Sequence, residues 1–489
     1  MNKCYNGYVK KIIISKLFLY RYRFIIGYVI LGLVFVALLF LLPLTSQRGL
    51  SPGEIESATG SYYLNSEKIL DGDLIDLPYR FLQKLSIVSF GLTPYAIKLP
   101  SILVGLGLGL LLVLLLNRWF KSNVSLLASC LVILSTPFLF LAGSGTPLIM
   151  LVFWPTLLLW LGSKIHGEKK PKPLYCFLFT IVMFASIFTP YMIYFAVFCV
   201  LFVLLQPHLR FIIKDLPRIP LIIISIIIIG GFAVIGVGIF HNQEIIPELF
   251  LSKGFKFSEF FGNISSGLTP VFSWHHSIEN IFLSPLVSLP TFVLALTGLF
   301  STTKGFFASR NSIASLLILF CIIITGFNSN AIIFFILPLS ILTAHGIKYL
   351  LEKWYGLFPE NPYARISALA PLTILFALII VPGLLQYAYG YRYNPNVVDQ
   401  FSYKLAVIND NISEGELFVV ENYEFYKILE NFTDIEVIND IDKITERVAF
   451  VGKPDSLPDG YWLLRIFTSP MRNDSDIIYL YTAIKKEGE

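Results

Sequence analysis

Charge is scarce in this chain: Asp, Glu, Lys and Arg together make up 14% of its 489 residues, where soluble domains carry roughly a quarter. That scarcity excludes a water-soluble globular protein, because a compact domain needs a polar exterior. Cysteine is equally sparse. None of the five, Cys4, Cys130, Cys176, Cys199 and Cys321, falls in a segment read as an outer loop, so a disulfide framework is not expected. No Cys-x-x-Cys or His-Glu-x-x-His spacing occurs, and neither a metal centre nor a cofactor is expected. The net charge of +5 comes from short basic clusters between apolar runs, which excludes a nucleic-acid surface and points to membrane orientation.

Apolar residues are what the chain has in excess: they make up 55% of it, with a mean hydropathy of +0.72. Uninterrupted runs of about 18–20 apolar residues match the thickness of the bilayer hydrocarbon as helices. The candidate spans are 24–43, 96–116, 124–142, 146–163, 174–189, 190–206, 219–240, 281–301, 312–327, 331–347 and 366–387. The pair around Pro190 reads either as two spans or as one kinked helix. The run after the basic N-terminus is too long for a signal peptide and lacks a cleavage site, so it reads as a retained helix. Lys and Arg follow the even-numbered spans, and the first 23 residues hold six basic residues and no acid. This bias puts the N-terminus in the cytoplasm and the C-terminus outside a plasma membrane.

Two outer loops are long, 44–95 and 241–280. Within the first, Ile55–Leu70 and Leu77–Phe90 have helix-compatible apolar spacing and read as helices lying on the outer membrane surface. After Tyr393-Asn394-Pro395 the composition turns mixed. Strands are expected at Glu416–Val420, Ile435–Ile438, Val448–Val451, Tyr461–Ile466 and near Ile477–Tyr481, with a short helix at Tyr423–Asn431. The fold class is an α-helical polytopic membrane protein of about 11 transmembrane helices, with a small C-terminal α/β extracytoplasmic domain. The division is 1–387 for the membrane domain and 388–489 for the outer one.

Gly105-Leu106-Gly107-Leu108-Gly109 is no dinucleotide loop, since no strand precedes it; it reads as a small-residue helix contact. The informative stretch runs from Leu50 to Leu116. It opens Ser51-Pro52-Gly53-Glu54-Ile55-Glu56, continues Asp76-Leu77-Pro78-Tyr79-Arg80, and closes Phe90-Gly91-Leu92-Thr93-Pro94-Tyr95-Ala96-Ile97-Lys98-Leu99-Pro100-Ser101. Later come Ser135-Thr136-Pro137-Phe138-Leu139, Gly145-Thr146-Pro147, Ile336-Leu337-Pro338-Leu339 and Leu342-Thr343-Ala344-His345-Gly346. In this order the motifs resemble the polyprenyl-phosphate-dependent GT-C glycosyltransferases of the protein O-mannosyltransferase and aminoarabinose transferase type. Members of that family usually carry Asp-Glu where this chain has Gly53-Glu54. They also carry an arginine near the end of the third span, where this chain reads Ala142-Gly143-Ser144-Gly145.

The resemblance implies transfer of a sugar from a polyprenyl-phosphate donor to a protein or a lipid or glycan acceptor on the outer face. Such transfer needs a carboxylate to take the acceptor's proton and cations for the departing phosphate. Glu54 is the expected base, with Glu56 as a second acid that a helix would turn in another direction. A plainer role for Glu54 is an N-terminal helix acid beside the cap residue Ser51. Lys98, Arg80 and Lys84 are the candidates for the lipid phosphate, against snorkelling toward headgroups. His275, His276 and Glu279 precede a span and are candidates for the cavity wall, against a membrane-belt role beside Trp274. Two rival functions stand: a family relative that has lost catalysis and serves as a scaffold or binding module, and a transporter or flippase of a lipid-linked molecule. The second would show internal repeats and charged spans; the sequence offers no convincing repeat, and its spans are nearly free of charge.

Overall fold

The computed structural model describes residues 18–45, 49–65, 74–166, 173–214, 218–243, 245–249, 256–272, 286–304, 308–357, 363, 367, 369–393, 400–412, 414–419, 421–440, 444, 447–451, 460–468 and 476–483. Each candidate span has an apolar helix in it. These are α1 (Phe18–Thr45), α4 (Pro94–Trp119), the pair α5 (Ser122–Ile133) and α6 (Thr136–Gly143), and α7 (Met150–His166). They continue with α8 (Pro173–Ile187), α9 (Met192–Leu205), α10 (Arg218–His241), α11 (Leu289–Thr303), α12 (Ser309–Phe327), α13 (Ile336–Leu357) and α14 (Leu369–Tyr393). Between α1 and α4 lie the loop helices α2 (Pro52–Tyr62) and α3 (Leu77–Phe90).

Among the described residues, six helices are long and apolar enough to cross a bilayer, and the α5–α6 pair, bent by 62°, makes a further span if it is counted as one. Four shorter apolar helices occupy the remaining segments. The bend has a local cause: Pro137 sits in the first turn of α6 and cannot donate the bond that would continue α5. Pro190 acts in the same way. Helix α8 ends at Ile187, Tyr191 takes a left-handed φ of 64°, and α9 starts at Met192.

Small residues bring the helices together. A Cβ on Gly105 would lie 2.5 Å from the Ala142 Cβ, and one on Gly109 would lie 2.7 Å from the Phe35 ring, so the glycine run is a packing surface. The tightest crossing joins α11 and α13. There, Cβ atoms on Gly298 and Gly346 would each stand 2.0 Å from a backbone carbonyl of the other helix.

The C-terminal part is a five-stranded sheet of order β2-β1-β3-β5-β4, with β1 Glu414–Phe418, β2 Asp434–Ile438, β3 Arg447–Val451, β4 Tyr461–Phe467 and β5 Ile478–Ala483. Strand β1 pairs in parallel with β2 and β3, while β5 pairs antiparallel with β3 and β4. The strands match the expected segments to within a few residues, because β-branched and aromatic residues cluster there. The sheet shares one apolar core with the first loop: Leu50, Ile55, Ala58, Ile87, Leu92 and Ile97 pack with Leu405, Phe425, Leu429 and Leu480. This joint core places the loop and the sheet at the same end of the bundle.

Candidate functional site

Helix α2 starts where the sequence pattern Ser51-Pro52-Gly53-Glu54 directs. Ser51 caps it through a bond from the Glu54 amide, Pro52 fills the first turn, and the Glu54 carboxylate returns to the Ser51 amide at 2.8 Å. This reciprocal box satisfies two otherwise orphaned donors. The helix buries Glu54, Ile55, Ala58 and Ser61, while Glu56 points to solvent.

The other carboxylate oxygen of Glu54 reaches across the bundle. Oε1 accepts from the Gly145 amide at 2.6 Å and lies 3.6 Å from Lys98 Nζ. Glu54 is 1% exposed and Lys98 is 2% exposed. Lys98 also donates to the Gly49 carbonyl at 2.8 Å and lies 5.9 Å from the centre of the Phe401 ring. Glycine is required at 145, because a Cβ there would come within 2.8 Å of the Ile97 side chain and 3.1 Å of its carbonyl. Only that close approach brings the Gly145 amide to the carboxylate.

Gln83, on α3 and fully buried, ties four segments together. Its oxygen accepts from Ser57 and Ser61 of α2, and its nitrogen donates to the carbonyls of Ile97 and Gly145. One turn earlier, the Tyr79 hydroxyl shares a 2.7 Å bond with Ser101, whose Oγ donates to the Thr146 carbonyl. Burial pushes the Tyr79 phenol well above its ordinary value, so it stays neutral. Replacing Gln83 with leucine, similar in volume, leaves two hydroxyls and two carbonyls short of a partner. Unsatisfied buried groups cost roughly 1–3 kcal/mol each; a markedly lower Tm for Gln83→Leu in detergent is the expected result, checked by thermal unfolding.

Of the expected site residues, the structure brings Glu54 and Lys98 together and sets Glu56 apart. Arg80 and Lys84 turn toward the first loop: Arg80 points to the Ile75 carbonyl at 3.5 Å and crowds Gly60, and Lys84 donates to the Leu64 carbonyl. His275, His276 and Glu279 lie outside the described residues, as do Glu244 and Trp274. Gly53 is half-buried, and a Cβ there would meet nothing nearer than Thr146 Cγ2 at 3.9 Å, so a side chain at that position has room.

Sequence reasoning passed over Gln83 and the strap 401–403, and it quoted Gly145 within motifs without expecting its amide on Glu54. The capping spacing Ser51-x-x-Glu54 was a readable signal. No local pattern pointed to Gln83 or the strap.

A second group of polar contacts borders the same loop. The Asp76 amide donates to the Phe188 carbonyl at 2.8 Å, Trp154 donates to Thr189 at 3.0 Å, and Asn328 donates to the Tyr191 hydroxyl at 2.6 Å. The turn 188–191 thus stands beside the start of α3.

No family model and no curated protein matches this chain. Solved structures do. An oligosaccharyltransferase from Archaeoglobus fulgidus, tethered with an acceptor peptide containing the NVT sequon, superposes with a TM-score of 0.52 at 11% identity. The match covers 86% of this chain, which spans 64% of that protein's length. ArnT from Cupriavidus metallidurans bound to undecaprenyl phosphate matches with a TM-score of 0.51 at 12% identity, over 95% of this chain and 99% of its own. The same protein in the apo state matches at 0.51 and 13% identity, over 93% and 98%. The likeness is one of fold, and it extends over 86–95% of this chain. The chain is a polytopic membrane protein with the GT-C fold that these proteins share.

Proposed function

We propose that the chain is a membrane glycosyltransferase that moves a sugar from a polyprenyl-phosphate donor to a protein or a lipid or glycan acceptor. In this reading it sits in the plasma membrane with its N-terminus in the cytoplasm, and the first loop and the domain 388–489 face outside, following the Lys/Arg bias. The observation that carries the reading is the Glu54–Lys98 pair, an acid and a cation held 3.6 Å apart where the first loop meets α4 in a GT-C fold. The donor class is supported by the undecaprenyl phosphate bound to ArnT and the peptide acceptor by the one tethered to the oligosaccharyltransferase.

Chemistry assigns the roles. Glu54 takes the proton of the acceptor hydroxyl as attack proceeds, and Lys98 stabilises the phosphate that leaves. Both are closed off in this state, with the Glu54 oxygens engaged by Ser51, Gly145 and Lys98. Turnover therefore requires the acceptor hydroxyl to displace the Gly145 amide from Glu54 Oε1. Arg80 and Lys84, which turn to loop carbonyls here, are the further cations proposed for the donor phosphate, and Glu56, exposed to solvent, is the second acid. His275, His276 and Glu279, which lie outside the described residues, are the residues proposed for the cavity wall.

The test is turnover of an undecaprenyl-phosphate-linked sugar by purified protein in nanodiscs. Glu54→Gln is expected to lower kcat by about 10²–10⁴, the usual worth of a general base; full activity removes Glu54 from the chemistry. Gly53→Asp, which the local space admits, is expected to fold as the wild type does. An inactive wild type that gains turnover through Gly53→Asp identifies a relative that has lost catalysis.

A further inference from the structure

The contacts of the site pair continue into the C-terminal sheet. Lys98 Nζ donates to the Gly49 carbonyl, and the next residue, Leu50, exchanges two backbone bonds of 2.8 Å with Ser402. A Cβ on Gly49 would come within 2.8 Å of Phe401 and 3.0 Å of Tyr403, so the two segments touch backbone to side chain. Phe401 is the ring that lies near Lys98. Behind this strap sits Asp476, fully buried just ahead of β5. Its Oδ1 accepts from Ser402 Oγ at 3.1 Å and its Oδ2 accepts from the Tyr403 amide at 2.9 Å.

We propose that Asp476 is a positioning residue for the Glu54–Lys98 pair, acting through the Ser402–Leu50 bridge. Burying a carboxylate is costly unless it is bonded, and among the described residues both of its hydrogen bonds go to the strap rather than to its own sheet. Burial pushes its carboxyl above the ordinary value, against the pull of those two bonds and of Lys404. The carboxylate fixes residues 402 and 403, the bridge fixes Leu50, and the Gly49 carbonyl then holds Lys98 against Glu54. A shift of about 1 Å at such a group lowers turnover about 100-fold in demanding cases. The C-terminal domain thereby sets the geometry of the site from the far side of the loop.

The structural arm of the test does not depend on the transferase reading; the kinetic arm does. Hydrogen exchange is measured on the full chain in nanodiscs for the wild type, Asp476→Ala, Asp476→Asn and Ser402→Ala. Asp476→Ala is expected to speed exchange in residues 49–56 about tenfold by local opening, with α4 unchanged and Asp476→Asn intermediate. Unchanged exchange in 49–56 overturns the proposal. Should Asp476→Ala loosen the whole sheet, Ser402→Ala decides: faster exchange in 49–56 with a quiet β3–β5 pair supports it, and no change overturns it. In the kinetic arm kcat falls about tenfold while the KM for the lipid-linked donor holds, as for a group that aligns the reacting centre. Faster exchange with an unchanged kcat reduces Asp476 to a structural tie and also overturns the proposal. A wild type that turns over no lipid-linked sugar defeats the transferase reading, and the exchange result still decides the coupling.

Discussion

Replacing Gly346 with valine is expected to abolish recovery of folded, monodisperse protein. A Cβ at this position would stand 2.0 Å from the Leu294 carbonyl oxygen and 2.8 Å from Thr297 Oγ1. The clash is with backbone, so no side chain can swing away to relieve it. Gly298 faces the reciprocal problem, with the Leu342 carbonyl at 2.0 Å. Helices in lipid associate through such close backbone approach, because lipid tails compete for apolar side chains and leave packing as the main attraction. Overpacking a well-filled core costs roughly 1–3 kcal/mol and more where backbone must move, and the two methyls of valine push α11 and α13 apart along their whole contact. Gly346→Ala gives a graded version, expected to fold with a lower Tm. Thermal unfolding and size-exclusion profiles in detergent read both; a Gly346→Val protein with the Tm of the wild type would mean that the two helices do not cross here.

The second large effect concerns the buried pair. Removing one partner of a buried ion pair leaves an uncompensated charge and costs roughly 3–5 kcal/mol. Lys98→Met removes the cation beside Glu54 and the bond to the Gly49 carbonyl, so loss of the fold or a steep fall in Tm is expected. Glu54→Gln acts differently. Its amide oxygen keeps one of the two backbone donors, Ser51 or Gly145, while its NH₂ faces the other donor, and Lys98 is left without its acid. The double variant, Glu54→Gln with Lys98→Met, removes both charges and is expected to be more stable than the sum of the single losses. A double-mutant cycle in Tm or denaturant midpoint measures that difference. Additive losses would show that the two side chains do not share a buried environment.

The same variants separate stability from chemistry. If Glu54→Gln unfolds the loop, its kcat is uninformative, and Gln83→Leu serves as the control. It disturbs the same junction of α2, α3, α4 and Gly145 without touching the proposed base.

Much of this protein was legible along the chain. Apolar runs long enough to cross a bilayer have few alternatives to helix, since lipid offers no partner for exposed backbone groups. The Ser51-Pro52-Gly53-Glu54 pattern fixed the start of α2, and clusters of β-branched and aromatic residues fixed the strands of the terminal sheet. Even the opposed directions of Glu54 and Glu56 followed from the helical repeat. These are local properties, in which neighbours in sequence are neighbours in space.

Other features needed the folded chain. Glu54 was expected as a site acid, but its burial against Gly145, 91 positions away, depends on how α4 and the turn after α6 pack. Arg80 and Lys84 lie on the helix expected from sequence, and packing decided that their side chains turn to loop carbonyls. The Leu50–Ser402 bridge joins backbone atoms, which every residue but proline offers alike, so no side-chain pattern could announce it. Sequence determined the helices, the strands and the caps, because propensity and hydropathy act within a few residues. Tertiary packing alone decided that the C-terminal sheet rests on the first loop and that an acid and a cation meet beneath it, because those contacts arise only between surfaces made by distant segments.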